Sequence, residues 1–530
     1  MNGIVKSLAT VSGLTIASRV LGFIRQVIIA GVIGAGGSPV ADAFWAAFRL
    51  PNMFRRLFAE GAFHAAFIPL FQGRRADGGE AAARAFAEET LAALVFILTL
   101  LTATVELFAP VFVTGLVSGF REDPEKFALT TFYARIMFPY LAMMSVVGLL
   151  SGILNSLGRF AAAAAAPVLL NICMIVGLLA FANSDPAQVG AALSWSVFVG
   201  GFAQLGLLAF GAARLGWGPR LRIPRFTKDV RRLAMLGAPG FIAAGAVQIN
   251  LIIGTNIASR EPGAVSWLMN ADQLYQLPLA VIGIALGVVL LPLLADRVKS
   301  GDEAGAATAL ERAVIVAAIF SFPAAAAFMT MGSVICDALF RSLAGDALKL
   351  AGAAGSAFTL NDAEQTGLAL AWFGAGLPAF VWQKVYSPAF FAREDTATPM
   401  RFALVSIAFN TVLALILFPR MGFVSVALAT SLAAWLQLSL LARAHYKRRG
   451  VGVSQNLKTS LLRVLVASAC LGLFLKLTLQ YQDELTAIAF DRVWILTIGL
   501  VLAGVIIYAA LLAVVGVAKL SDYKALLASR

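Results

Sequence analysis

The chain has 530 residues, 60% of them hydrophobic and only 13% charged, with a mean hydropathy of +0.86 and a formal net charge of +13. This composition excludes a soluble globular protein: apolar runs of about 18 residues or more recur along the whole length, the mark of a polytopic membrane protein. The runs are too long and too unalternating for barrel strands, so an all-α polytopic membrane protein is expected, with the positive charge reporting topology rather than nucleic-acid binding.

Fourteen transmembrane helices are predicted, at roughly 5–34, 40–72, 88–110, 128–157, 161–183, 189–213, 230–258, 265–296, 305–330, 363–391, 398–419, 423–446, 459–480 and 492–518. The first segment begins within a few residues of Met1, lacks a short h-region with a small-residue cleavage site, and carries two arginines, so it does not read as a cleavable signal. With the N-terminus placed in the cytoplasm, 26 of the 41 Lys and Arg residues fall inside, eight outside (Lys126 among them) and seven within spans. The positive-inside rule then puts both termini in the cytoplasm. Cys173, Cys336 and Cys470 lie far apart and read as small apolar residues, and no metal or cofactor is expected.

The first two spans hold the most unusual chemistry. They meet at a Gly-Gly-Ser-Pro turn, and between them carry Arg19, Arg25, Arg49, Arg55 and Arg56 at membrane depth, against only Asp42 and Glu60. An Arg at the centre of a membrane helix costs roughly 2.5–3.5 kcal/mol on insertion scales, so five facing lipid would cost about 12–17 kcal/mol. That rivals or exceeds the stability of a whole domain. The five are therefore expected to face a wet, cationic cavity inside a helix bundle.

At 100° per residue, Asp42, Arg49, Arg56 and Glu60 share one stripe of the second helix that rises about 27 Å, with His64 near it. Arg55 widens the stripe, and Pro51, followed by Asn52, is expected to bend the helix. The stripe could be inert ion pairing, Arg49 with Asp42 and Arg56 with Glu60. Two acids cannot neutralise five arginines, however, and a guanidinium fork suits phosphate oxygens bidentately. Further along, Arg135 lies near a boundary where its head can snorkel. Ala161–Ala166 is either a hinge or a packing surface, and Lys384 and Asp272 are the charges of interest in the second half.

The basic loop RLGWGPRLRIPRFTKDVRR (214–232) divides the chain and reads as a topology anchor rather than a lipid-surface patch. Six helices precede it (1–225), six follow (226–450), and two more close the chain (451–530). VADAFWAAFRLP (40–51) and NADQLYQLP (270–278) suggest a faint parallel repeat. Residues 332–362 are expected to form the longest outer loop, with a possible surface helix.

Three segments carry a family resemblance: SRVLGFIRQ (18–26), ADAFWAAFRLPNMFRRLFAEGAF (41–63) and ADQLYQLPLAVIGIALGVVLLPLL (271–294). They resemble the signature segments of the MurJ/MviN lipid II flippases, in the multidrug/oligosaccharidyl-lipid/polysaccharide exporter superfamily. The resemblance implies two six-helix lobes in a V plus two C-terminal helices that make a groove for the lipid tail. It implies a transporter rather than an enzyme, with undecaprenyl-diphosphate-linked disaccharide-pentapeptide as cargo, for peptidoglycan synthesis at the bacterial inner membrane. Essential cations are then Arg19, Arg25 and Arg55, supported by Asp42, Arg49, Arg56, Glu60 and Asp272. Many members carry Arg where this chain has Gln273, and an acid where it has Gln276. The anion site is therefore expected to lean on the first lobe, with Gln273 donating neutral hydrogen bonds. Helices 7 and 11 lack a buried acid, Asn250 and Asn410 being the nearest polar groups, so no sodium site is expected. The alternative cargo is another anionic lipid-linked oligosaccharide. A drug-cation antiporter is disfavoured by the sign of the cavity, and a glycosyltransferase by the lack of a carboxylate constellation. A monomer is expected.

Overall fold

The computed structural model describes residues 2–36, 38–58, 62–218, 220–450 and 452–517, and every regular element among them is helical. Ten helical stretches among the described residues are long and apolar enough to cross a membrane. The chain divides into two compact units, Met1–Ser266 with Asp346–Phe358, and Trp267–Gly345 with Thr359–Arg530.

The first unit contains α1 (Asn2–Ile33), α2 (Pro39–Phe58), α3 (Ala62–Leu107), α4 (Ala109–Leu116), α5 (Pro124–Met137), α6 (Tyr140–Ser156), α7 (Ala161–Ala180), α8 (Pro186–Arg214) and α9 (Lys228–Ala258). Here α1 packs on α7, α7 on α8, α2 on α5 and α6, and α3 on α6 and α9. The core is aromatic: Phe44, Trp45, Phe67, Phe71, Phe86, Tyr133, Phe138 and Tyr140 are all but fully buried. Close approach depends on a small residue at Gly190, where a Cβ would stand 2.3 Å from the Tyr133 hydroxyl oxygen.

One sequence expectation changes here. Within the helix expected over 40–72, α2 is described to Phe58 and α3 from Ala62, and residues 59–61 between them lie outside the described residues. The expected loop at 73–87 is instead helical, because its many Ala and Arg residues are good helix formers. The only non-helical residue there is Gly79, at φ 71°, which kinks α3.

The second unit contains most of α10 (Ala264–Lys299), with α11 (Glu303–Cys336), α12 (Ala344–Leu350, split between the units), α13 (Leu360–Phe391), α14 (Ala397–Met421), α15 (Val424–Arg449), α16 (Gln455–Thr478), α17 (Gln482–Ile488) and α18 (Val493–Val514). Its spine is α11 on α13 on α15, with α14 against α15 and α16 between α11 and α18. A Cβ on Gly367 would stand 2.4 Å from the Ser333 Cα, so α11 and α13 meet backbone to backbone. Residues expected in an outer loop from 332 are largely helical: α11 runs to Cys336, a π-helical turn carries Asp337–Leu343, and α12 follows. The outward faces of α14 and α18 are apolar, with Val405, Val412 and Ile416 on one and Val505 and Ile506 on the other. In a bilayer these side chains meet acyl chains and incur no hydration cost.

Candidate functional site

Arg25 sits in the second half of α1, on the face that meets α7. Its Nη1 donates to Asn171 Oδ1 at 2.9 Å and lies 3.7 Å from Met174 Sδ. Asn171 is the lone amide in the apolar run of α7. Its Nδ2 donates to the Ser18 carbonyl at 2.9 Å, which fixes its orientation. The Arg25 Nε is buried and has no hydrogen-bond partner among the described residues. The guanidinium is thus held at one nitrogen by a neutral amide, which leaves its charge uncompensated by that contact and one donor available. Arg19, on the same helix, is exposed.

In α2, Arg49 donates to Thr255 Oγ1 and, at 3.5 Å, to the Leu251 carbonyl, both on α9. Pro51 lies inside the helix, as expected, and is buried. One residue on, Asn52 Nδ2 donates to the Phe48 carbonyl at 3.1 Å, and Asn52 Oδ1 accepts from Arg55 Nε at 3.3 Å. The amide therefore splints the helix across the proline and orients Arg55, which is half-buried. Glu60 and the Arg56 side chain lie outside the described residues.

Asp42 is not arranged as the stripe suggests. It is fully buried in the first turn of α2, and its partners are Lys126 Nζ at 3.3 Å, the backbone N–H groups of Gly263 and Ser266 at 2.8 and 3.0 Å, and the Ser266 hydroxyl at 2.8 Å. The carboxylate caps the start of α10, where the helix dipole also favours a negative charge. Lys126, expected in an outer loop, is buried in α5 with its ammonium 5.1 Å from the Phe120 ring. Asp123-Pro124 was the signal for this. Asp123 accepts from the Lys126 N–H as N-cap, and Pro124 takes the first helical position, so the helix starts four residues before the expected boundary.

In the second unit, Asp272 accepts from Gln276 Nε2 one turn on. Gln273, beside it, is half-buried. The Lys384 stem passes α10 at Gly283, where a Cβ would lie 3.4 Å from Lys384 Cγ, and the side chain is exposed. The supposed repeat is not matched in placement: Asp42 is in the first turn of its helix, Asp272 in the third turn of α10. His64 is engaged on α6, its Nε2 lying 2.8 Å from the Gly148 carbonyl. Beyond the expected residues, the structure adds Asn171, Thr255, Lys126 and Ser266 as the groups that hold the charges of α1 and α2. No cluster of metal-ligating side chains occurs among the described residues.

Residues 29–498 match the family model of the lipid II flippase MurJ. The chain is 43% identical over 524 residues to the probable lipid II flippase MurJ of Rhizobium meliloti (strain 1021), covering 98% of this chain and 95% of that one. It is 42% identical to that of Rhizobium tropici (88% and 86% covered), and 32% identical to the lipid II flippase MurJ of Burkholderia cenocepacia (84% of each). Among solved structures, a lipid II flippase MurJ in an inward closed conformation superposes with a TM-score of 0.76 at 21% identity, over 95% of this chain and 98% of that one. An inward-facing MATE family transporter of the MOP superfamily gives 0.65 at 14%, over 83% and 95%. Those two likenesses concern the fold; the sequence matches, which span nearly the whole chain, establish that it belongs to the MurJ family of lipid II flippases.

Proposed function

We propose that this protein is a lipid II flippase of the bacterial inner membrane, a multi-pass transporter that moves the undecaprenyl-diphosphate-linked peptidoglycan precursor from the inner to the outer leaflet. Arg19, Arg25 and Arg55 take the diphosphate, with Arg49, Arg56 and Gln273 around them. Asp42, Glu60, Asp272, Pro51, Asn52 and Lys384 support and gate the site. The working parts are an N-terminal lobe (1–225), a C-terminal lobe (226–450) and the terminal helices (451–530), whose apolar faces guide the prenyl tail. Both termini are cytoplasmic, the protein acts as a monomer, and it uses no cofactor or metal.

The observation that supports this most directly is Arg25. A guanidinium within an apolar helix, engaged by a neutral amide and with Nε unpartnered among the described residues, suits a diphosphate oxygen, and a carboxylate-paired arginine would not. The mechanism is alternating access by rocking lobes. An inside-negative potential drives anionic cargo outward and draws the empty cationic site back, at about 2.3 kcal/mol per elementary charge per 100 mV.

The test uses the purified protein in liposomes with an imposed potential and fluorescent lipid II. Flipping should be faster with the inside negative and should be lost in Arg25→Ala. Equal rates at both polarities would remove the voltage step, and undiminished flipping by the variant would remove the site. Replacing the cargo with a different diphosphate-linked glycan separates lipid II from the alternative anionic cargo.

A further inference from the structure

We propose that the segment joining α8 to α9, residues 215–227, is a strap that docks on anionic lipid headgroups at the membrane surface. The strap leaves α8 through Gly216, at φ 77°, and enters α9 through Thr227, whose hydroxyl caps the Val230 N–H. Its described residues, all but 219, are irregular, yet the strap is pinned on one side. Trp217 is buried, edge-on to Phe71 at 5.3 Å, with the Arg84 guanidinium 5.2 Å from its ring. Arg222 pairs with Glu88, and the Thr227 hydroxyl donates to Glu89 at 2.8 Å, so three contacts fasten the strap to α3.

The opposite side is unsatisfied in water. Leu221, Ile223 and Phe226 are 70%, 78% and 65% exposed, although they lie in a non-helical connection rather than on a lipid-facing span. Arg222 is turned toward Glu88 on α3, while its neighbours Leu221 and Ile223 leave most of their surface uncovered. Interleaved with them are the exposed basic residues Arg220, Arg225, Lys228 and Arg231. The nearby acids Glu88 and Asp229 are engaged by Arg222 and Arg74. The outward side is therefore apolar and cationic together.

That pairing identifies the occupant. A water-facing loop has no use for three exposed large apolar side chains, and a purely electrostatic tether needs no Leu, Ile or Phe. An anionic bilayer surface satisfies both, with the apolar side chains entering the headgroup boundary and the guanidinium groups meeting phosphate. The location agrees: the strap begins one residue beyond the span Pro186–Arg214.

The test is made on the full-length protein in nanodiscs, with Cys173, Cys336 and Cys470 replaced and a nitroxide placed at Ile223→Cys or, as a water-exposed control, at Ser300→Cys. In discs containing phosphatidylglycerol the label at 223 should be shielded from a water-soluble nickel quencher and open to oxygen. In phosphatidylcholine alone the shielding should weaken, while the label at 300 stays quenched in both. Each basic residue near such a surface contributes about fivefold to docking. Neutralising Arg220, Arg225, Lys228 and Arg231 to Gln, with Arg222 left to hold Glu88, should reduce shielding more than tenfold, and raised salt on the unaltered strap should act in the same direction. Quenching at 223 that is unaffected by lipid composition would overturn the proposal. So would shielding that persists in the neutralised variant, or shielding that appears only when cell extract is added, the mark of a protein partner.

Discussion

Asp42 and Lys126 form an ion pair at 3.3 Å between α2 and α5, with side-chain exposures of 1% and 8%. Two backbone N–H groups and a hydroxyl at the start of α10 complete the carboxylate's shell. A buried pair of this kind is costly to break from one side, because the remaining charge is stranded. Asp42→Asn should destabilise the protein by about 3–5 kcal/mol, read as a fall in the temperature at which the detergent-solubilised protein loses its monodisperse peak. Adding Lys126→Met to Asp42→Asn should recover part of the loss. An unchanged midpoint in the single variant would show that the carboxylate is not structural.

Arg25 calls for the opposite signature, loss of transport with the fold retained. Arg25→Lys keeps the charge but loses the planar fork, and a compact ammonium cannot hold Asn171 and a phosphate oxygen in the same geometry. One charge-assisted hydrogen bond is worth about 1.5–3 kcal/mol, or roughly tenfold to a hundredfold in affinity for the diphosphate. Arg25→Lys should weaken lipid II binding by about that factor, and Asn171→Leu should do so less. Both should leave thermal stability close to that of the parent, and a large drop in stability would instead make the Arg25–Asn171 bond a packing feature.

The contrast between these residues shows what was legible in the chain. The arginines of α1 and α2 announce themselves by cost alone, since an unneeded cation at membrane depth is too expensive to keep. Their acceptors do not. Asn171 is a single polar residue in an apolar run and Thr255 one of several polar residues in α9, both more than a hundred positions from the arginines they bind, and periodicity holds no information about pairing at that distance. Lys126 departs from its expected outer loop because Asp123 and Pro124 start the helix four residues early. The charges of 73–87 point to water, and water does not prevent a helix. Asp42 and Arg49 both lie in α2, but sharing a helix did not make Arg49 the partner of Asp42, whose shell is filled from α5 and α10.

Two glycines separate steric from conformational demands. At Gly190 a Cβ would stand 2.3 Å from the Tyr133 hydroxyl oxygen and 2.8 Å from Val40 Cγ1, inside the core of the first unit. Gly190→Ala should cost about 1–3 kcal/mol through overpacking. At Gly79 a Cβ would meet nothing within 4 Å, and only the positive φ resists substitution. With ψ at −167° the backbone lies in the region that is essentially glycine's alone, not in the left-handed helical region that Asn tolerates. Gly79→Ala and Gly79→Asn should therefore each cost about 1–3 kcal/mol, to a similar extent. Thermal denaturation of the purified protein checks this, and unchanged midpoints for both variants would mean that the kink is not set by the backbone of Gly79.

Asp395, in the turn between α13 and α14, supplies a pH test. The Thr398 backbone N–H and then its hydroxyl, followed by the Arg448 guanidinium, lower its carboxyl from the ordinary value of 3.8 to about 2. A carboxyl lowered on folding contributes stability that is present above its unfolded value and lost as pH falls through the folded one. The window therefore runs from just under pH 4 down to about 2. The pair lies at the surface, with the Arg448 side chain 47% and the Asp395 side chain 18% exposed, so solvent screening keeps the effect small. Asp395→Asn preserves an acceptor for the Thr398 N–H but removes the charge that faces Arg448. Its thermal midpoint should lie slightly below that of the parent at neutral pH, with the gap narrowing below pH 4 and closing near pH 2. A gap that stays constant across this range would mean that the turn is held by the cap alone and that the Arg448 contact adds no stability.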